Sequence, residues 1–236
     1  MDAGADVRET GGLPPARDWR QSPWLAIAEF LLVALIFVAD ARHLIPFSKT
    51  LFLLAFGWIS LWVRKSSWRA VGLSRYRSWP ITVAAGVGAG VLIEAFQLFV
   101  SQPFLVRVLG KQPDLEVFRQ VHGNIKLTLV FVAFSWTVAA FGEEMVYRGY
   151  LMNRVADLFR RTPLAWVISL FAVHVGFGLA HAYQGITGII DEGLMGFLLG
   201  IIYLRTGRNL SVPIIAHGIQ DSIDFVLIFL GRYPGM

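Results

Sequence analysis

Polar and apolar positions along this chain do not alternate; they fall into long blocks. Windows of about 20 apolar residues mark candidate membrane-spanning helices. The first is "PWLAIAEFLLVALIFVA" (23–39), interrupted by Glu29, and the second "FSKTLFLLAFGWISLWV" (47–63). A basic, Trp-bearing connector (64–80) reads as an interfacial segment. The third span (81–100) is rich in small residues that permit close helix packing, and it holds Glu94. A polar linker over 101–126 leads to the fourth span, 127–141, whose helix is expected to run through an acidic stretch to about residue 159. The fifth covers 163–181, and the sixth covers 186–204 with Asp191 and Glu192 inside it. The last covers 210–230 and carries Pro213, His217, Asp221 and Asp224. The pattern predicts an all-α, multi-pass transmembrane helical bundle of seven spans, or eight if one breaks in two, with an intramembrane polar site. Residues 1–22 are polar, Pro/Gly-rich and of mixed charge, without the basic start and short apolar core of a signal peptide. They read as a disordered tail before one transmembrane domain, 23–236.

Composition supports this reading. Of 236 residues 56% are hydrophobic and only 16% charged, with a mean hydropathy of +0.59. Soluble domains carry about 25% charge, so there is too little polar side chain here to cover a water-facing globule. The net charge of +5 fits basic loops beside an anionic leaflet better than a nucleic-acid partner, which is not expected. There are no cysteines, which removes disulfides, thiolate nucleophiles and thiolate metal ligands. With the N-terminus inside, thirteen Lys and Arg fall on inner connections and seven on outer ones, Arg148 aside. That bias predicts an integral protein of the cell membrane with a cytoplasmic N-terminus, and it puts the acidic stretch near the cytoplasmic surface.

Charges inside hydrocarbon cost about 3 kcal/mol or more each, so "AAFGEEMVYRGYL" (139–151) needs a reason. Residues four apart share a helix face, so Glu144 and Arg148 can neutralise one another. Glu143 points about 100° away, with Tyr147 as its neighbour at i+4. One carboxylate therefore reads as paired and the other as free to act as a general base. The fifth span carries His174 and His181 on roughly one face, with Phe177 placed to pack over the ring of His181. The last span places Asp221 one turn from His217, an arrangement that suits orientation of a histidine, and Asp224 continues the stripe. A lone intramembrane histidine is ordinarily a packing or interhelical bonding group. Three such polar helices, all in the second half, point to a shared site. There is no "HExxH" and no "GxSxG", and "GVGAG" (86–90) lies inside an apolar span and reads as helix packing. What remains is Glu and His chemistry, either activating a water or holding a metal that does so.

Three motifs, "EEMVYR" (143–148), "FGLAH" (177–181) and "HGIQD" (217–221), stand in order on separate spans. With them the chain resembles the CPBP intramembrane proteases, the Abi or CAAX-protease-like family that includes the type II prenyl-protein endopeptidases. Their motifs are EExxxR, FxxxH and Hxxx followed by Asn or Asp, and the resemblance covers a core at about 127–230. It implies an endopeptidase acting on a membrane-anchored peptide or protein at the bilayer, for example a prenylated CAAX-like tail. Glu143 would deprotonate the attacking water and His181 would help hold it. His217 and Asp221 would stabilise the oxyanion, while Glu144 and Arg148 would support the helix. An ionised Asp221 cannot donate to an oxyanion, so it would be protonated or would orient His217. The resemblance leaves the cofactor open: none, or Zn²⁺ on Glu143, His181 and His217 with water as fourth ligand. His174, Glu29, Glu94, Asp191, Glu192 and Asp224 lie outside the motifs and are assigned to interhelical or interfacial bonding. The alternatives are a non-enzymatic scaffold or immunity-type protein and, ranked last, a proton-coupled transporter, which would show matching halves.

Overall fold

The computed structural model describes residues 18–235. Seven apolar helices and no strands occur among them: α1 Pro23–Ala41, α2 Lys49–Val63, α3 Trp79–Leu109, α4 Ile125–Leu158, α5 Pro163–Leu179, α6 Gly185–Arg205 and α7 Ser211–Phe229. Their starts are written locally. The hydroxyls of Ser22, Ser48 and Thr162 accept from backbone N–H groups of the first turns of α1, α2 and α5, and Pro23 and Pro163 occupy first-turn positions where no N–H is needed. Five segments are long and apolar enough to cross a membrane; α2 and α5, of 15 and 17 residues, are shorter. The protein is a multi-pass helical membrane protein.

Two expectations change. The third helix does not end near residue 100 but continues to Leu109, which removes 101–109 from the expected polar linker. A π-helical turn at Gln97–Ser101 carries the chain into Pro103, which sits in the first turn of the following α-helical segment. The proline is accommodated there without ending the helix. The expected disordered tail falls largely on residues 1–17, outside the described residues. Residues 18–22, by contrast, hold a 3-10 turn, with the Arg20 side chain donating to the Val63 carbonyl and Arg64 donating to the Arg20 carbonyl.

The core centres on α4, where Met145, Val146, Tyr147, Tyr150, Leu151 and Met152 pack among Leu53, Leu61, Phe177, Tyr203 and Leu210 from neighbouring parts of the bundle. α3 and α7 approach through glycines, as the small-residue pattern suggested. A Cβ at Gly86 would lie 2.5 Å from that of Ile215, and one at Gly90 would lie 2.5 Å from the Ala216 carbonyl oxygen. Glu29 ties α1 to the end of α2 by pairing with Arg64 at 2.7 Å and accepting from Ser60.

The two ends of the bundle differ. One end gathers the starts of α1, α3, α5 and α7 with the ends of α2, α4 and α6. It carries seven of the eight tryptophans (19, 24, 58, 62, 68, 79 and 166) and the basic connectors. Tryptophan belts mark a membrane–water interface, so this end lies at one. From it α2 rises only about 22 Å before it stops, well short of a hydrocarbon core of about 30 Å.

Candidate active site

The length of α2 and α5 decides where the site lies. Thr50, at the start of α2, meets Gly142 and Glu143 of α4, and α5 ends just before His181. Both short helices therefore stop at the depth of the acidic motif. A cavity of about 320 Å³ occupies the space they leave, with Glu143, His181, His217 and Asp221 in its wall. Its remaining lining includes Asp40, residues 47–50, Leu115, Tyr183 and Tyr233. All of these belong to the end away from the tryptophans and basic connectors. This corrects the expectation that the motif sits near the basic surface: its helix ends there, but the motif lies well back along the bundle.

The motif does not lie on an α-helix. From Ser135 to Leu151 the turn widens to π-helical, and the Met152 N–H reaches back five residues to the Tyr147 carbonyl. Such turns are usually single and often mark functional sites. The wider turn still separates the two glutamates. Glu144 is fully buried and accepts from Arg148 at 2.7 Å. Arg148, also fully buried, donates on to the Gly196 carbonyl at 2.7 Å and lies 4.9 Å from the Phe177 ring centre. Glu143 faces the cavity, and its only side-chain partner among the described residues is a long, 3.4 Å hydrogen bond from Thr50.

The histidines are held in defined tautomers. His181 Nδ1 lies 2.9 Å from the Phe177 carbonyl, which can only accept. That contact assigns the proton to Nδ1 and leaves Nε2 of the neutral ring with a lone pair. The ring packs against Phe177, 4.8 Å between centres. His217 Nδ1 donates to Glu144 Oε1 at 2.9 Å, and its Nε2 stands 3.6 Å from Asp221 Oδ1, within ion-pair reach but beyond hydrogen-bond length. Glu144, assigned from the sequence only to Arg148, is therefore also the anchor of His217. Trp136 fixes α7 at this level: its ring packs on Gly218 and its Nε1–H donates to Ser222 at 3.0 Å.

Of the remaining polar residues His174 stands apart from this group, whereas Asp191, Glu192 and Asp224 also line the cavity. His174 is buried, with Nδ1 on the Leu170 carbonyl. Asp191 accepts from Gln97 at 2.9 Å and from Ser101 across α3 and α6, and Glu192 accepts from Gln184. Asp224, in the cavity wall, faces the buried Glu94 of α3. Two rim residues had no signal beyond being polar: Lys49 pairs with Asp40 at 3.1 Å and donates to the Ala180 carbonyl beside His181.

Glu143, His181 and His217 do not fit a zinc site. Among the described residues no three His, Asp or Glu side chains converge as a ligand set, and His217 Nδ1 is already committed to Glu144.

Residues 125–223, which contain all three motifs, match the family model described as "Type II CAAX prenyl endopeptidase Rce1-like". No curated protein and no solved structure matches the chain. The match supports the CAAX-protease (CPBP) family.

Proposed function

We propose, taking the type II CAAX-protease pattern of residues 125–223 as the premise, that this protein is an intramembrane endopeptidase in which Glu143 activates a water. The family implies a membrane protease. The observation that carries the finer reading is the division of labour between adjacent glutamates: Glu144 is locked between Arg148 and His217, while Glu143 stands open to the cavity.

In this mechanism the unprotonated Nε2 of His181 accepts a hydrogen bond from the water and Glu143 removes its other proton. The hydroxide adds to the scissile carbonyl. His217, in its protonated form, keeps Nδ1–H on Glu144 and offers Nε2–H to the oxyanion, with Asp221 orienting the ring from the other side. A donor of this kind is worth about 3–4 kcal/mol in other acyl-transfer sites. Glu143 then returns its proton to the leaving amine. The low-dielectric surroundings strengthen each of these contacts. No step is routed through a metal.

With the basic end cytoplasmic, the cavity faces the opposite leaflet. That favours a membrane-anchored segment drawn into the bilayer over a tail lying on the cytoplasmic surface. The test is cleavage of a lipid-tailed or membrane-anchored peptide in ¹⁸O-water, with and without a strong chelator, read by mass spectrometry. The expected result is two fragments with one ¹⁸O in the new carboxyl group and no effect of chelator. Loss of cleavage on chelation would overturn the metal-free mechanism. Intact, folded protein that cleaves neither peptide would favour the scaffold reading.

A further inference from the structure

A second cavity, of about 370 Å³, lies at the tryptophan-rich end between the α2–α3 connector and the α6–α7 turn. Arg69, Arg75, Arg77 and Arg208 line it together with Ser74 and Thr206, and no Asp or Glu is in its wall. None of the four guanidinium groups makes an ion pair or a side-chain hydrogen bond among the described residues, whereas Arg20, Arg64, Arg148, Arg154 and Arg161 all pair with carboxylates. Four unneutralised arginines around one recess repel each other, so the arrangement lacks a compensating anion.

The recess is built rather than incidental. The two loops are bonded to each other. Leu210 N–H donates to the Gly72 carbonyl at 2.9 Å, the Ser211 hydroxyl to the Ser74 carbonyl at 2.6 Å, and the Tyr203 hydroxyl to the Val71 carbonyl at 2.8 Å. The buried Asn209 donates to Ser74 as well. Gly72, at φ 116°, lies so close to the Arg208 carbonyl that no side chain would fit. Arg77 and Arg208 are held at φ 57° and 64°, a region that non-glycine residues enter only when their surroundings impose it. Their guanidinium groups lie 5.3 Å from the Tyr76 ring centre and 5.0 Å from that of Trp166, which fixes both in direction.

We propose that this cleft binds a phosphate group. Forked arginine donors with neighbouring hydroxyls match phosphate oxygens in charge and geometry. The tryptophans at the same end put the cleft at headgroup depth, which favours an anionic phospholipid as the source. The site is remote from Glu143 and its standing is independent of the proteolytic reading.

The test uses the full chain in zwitterionic detergent, titrated with phosphatidylglycerol and followed by native mass spectrometry. A parallel arm uses glycerol 3-phosphate and inorganic phosphate. The variants are R69Q/R75Q, in which both residues are exposed and lack partners, R75Q/R208Q, and as control R107Q/K111Q at the opposite end. Melting without added lipid checks that each is folded. Wild type and control should each retain one phosphatidylglycerol, and both cleft variants should hold it about tenfold or more weakly. If the soluble phosphates bind as tightly as the lipid and are lost in the same variants, the ligand is a soluble phosphate in the same cleft. Unchanged lipid retention by the folded cleft variants, or equal loss in the control, would overturn the assignment.

Discussion

Replacing Arg148 by Met removes the guanidinium paired with Glu144 while keeping an unbranched side chain of similar reach. In the wild type both groups are fully buried, so solvent does not screen the pair. The Met variant leaves a buried carboxylate held by His217 alone and takes the donor from the Gly196 carbonyl. Breaking a buried pair by removing one partner costs about 3–5 kcal/mol. For a chain of this size that corresponds to a fall in melting temperature of roughly 10 °C. Removing both charges as E144L/R148M should recover part of this loss, because an apolar pair of similar volume needs no partner, although His217 Nδ1–H and the Gly196 carbonyl lose theirs. Activity should not recover, because His217 then has no acceptor for its Nδ1–H. The assay is thermal unfolding in detergent by tryptophan fluorescence, beside peptide cleavage. A single variant melting within about 2 °C of wild type, or a double variant as unstable as the single, would show that the buried pair does not carry this energy.

Other consequences come from the same geometry. A Cβ on Gly218 would lie 2.7 Å from the Trp136 ring, so G218A should destabilise by about 1–3 kcal/mol and lower activity by displacing the neighbouring His217; melting and turnover together check it. His174 contacts neither the cavity nor the motif carboxylates, and H174L should keep activity within about threefold and stability at or above wild type; parallel cleavage and melting curves test this. Because the chain has no cysteine, single cysteines report its sidedness cleanly. Cys at Arg205 should react with an impermeant maleimide only from the cytoplasmic side and Cys at Lys111 only from the opposite side; the reverse pattern would invert the orientation.

The spans were readable because apolar runs of about 20 residues match the length of a membrane-crossing helix, and Ser22, Ser48 and Thr162 announce where helices begin. The Glu144–Arg148 pair was readable because it is local, four residues apart on one helix. What was hidden is non-local or depends on backbone hydrogen bonding. Pro103 reads as a breaker unless the π turn before it is known, and nothing in "SWTVAAFGEEMVYRGYL" distinguishes a widened helix from an α-helix. The bond from His217 to Glu144 joins residues 73 positions apart. The depth of the site was misjudged because it follows from where α2 and α5 stop. Their lengths were visible in the sequence, but their alignment against α4, Thr50 opposite Gly142, was not. The intramembrane polar positions Gln97, Ser101 and Gln220 were a signal available for the Asp191 network.

Every catalytic step proposed for the cavity depends on Glu143, and not its neighbour, taking the proton from water. The measurement that isolates this step is the single-turnover cleavage rate of E143Q beside wild type, with melting temperatures taken on the same preparations. Glu143 has one long hydrogen bond and no ion pair among the described residues, so the melting temperature should be unchanged, while the rate should fall by about 10²–10⁴. A folded E143Q protein that cleaves within about tenfold of wild type would remove Glu143 from the role of base.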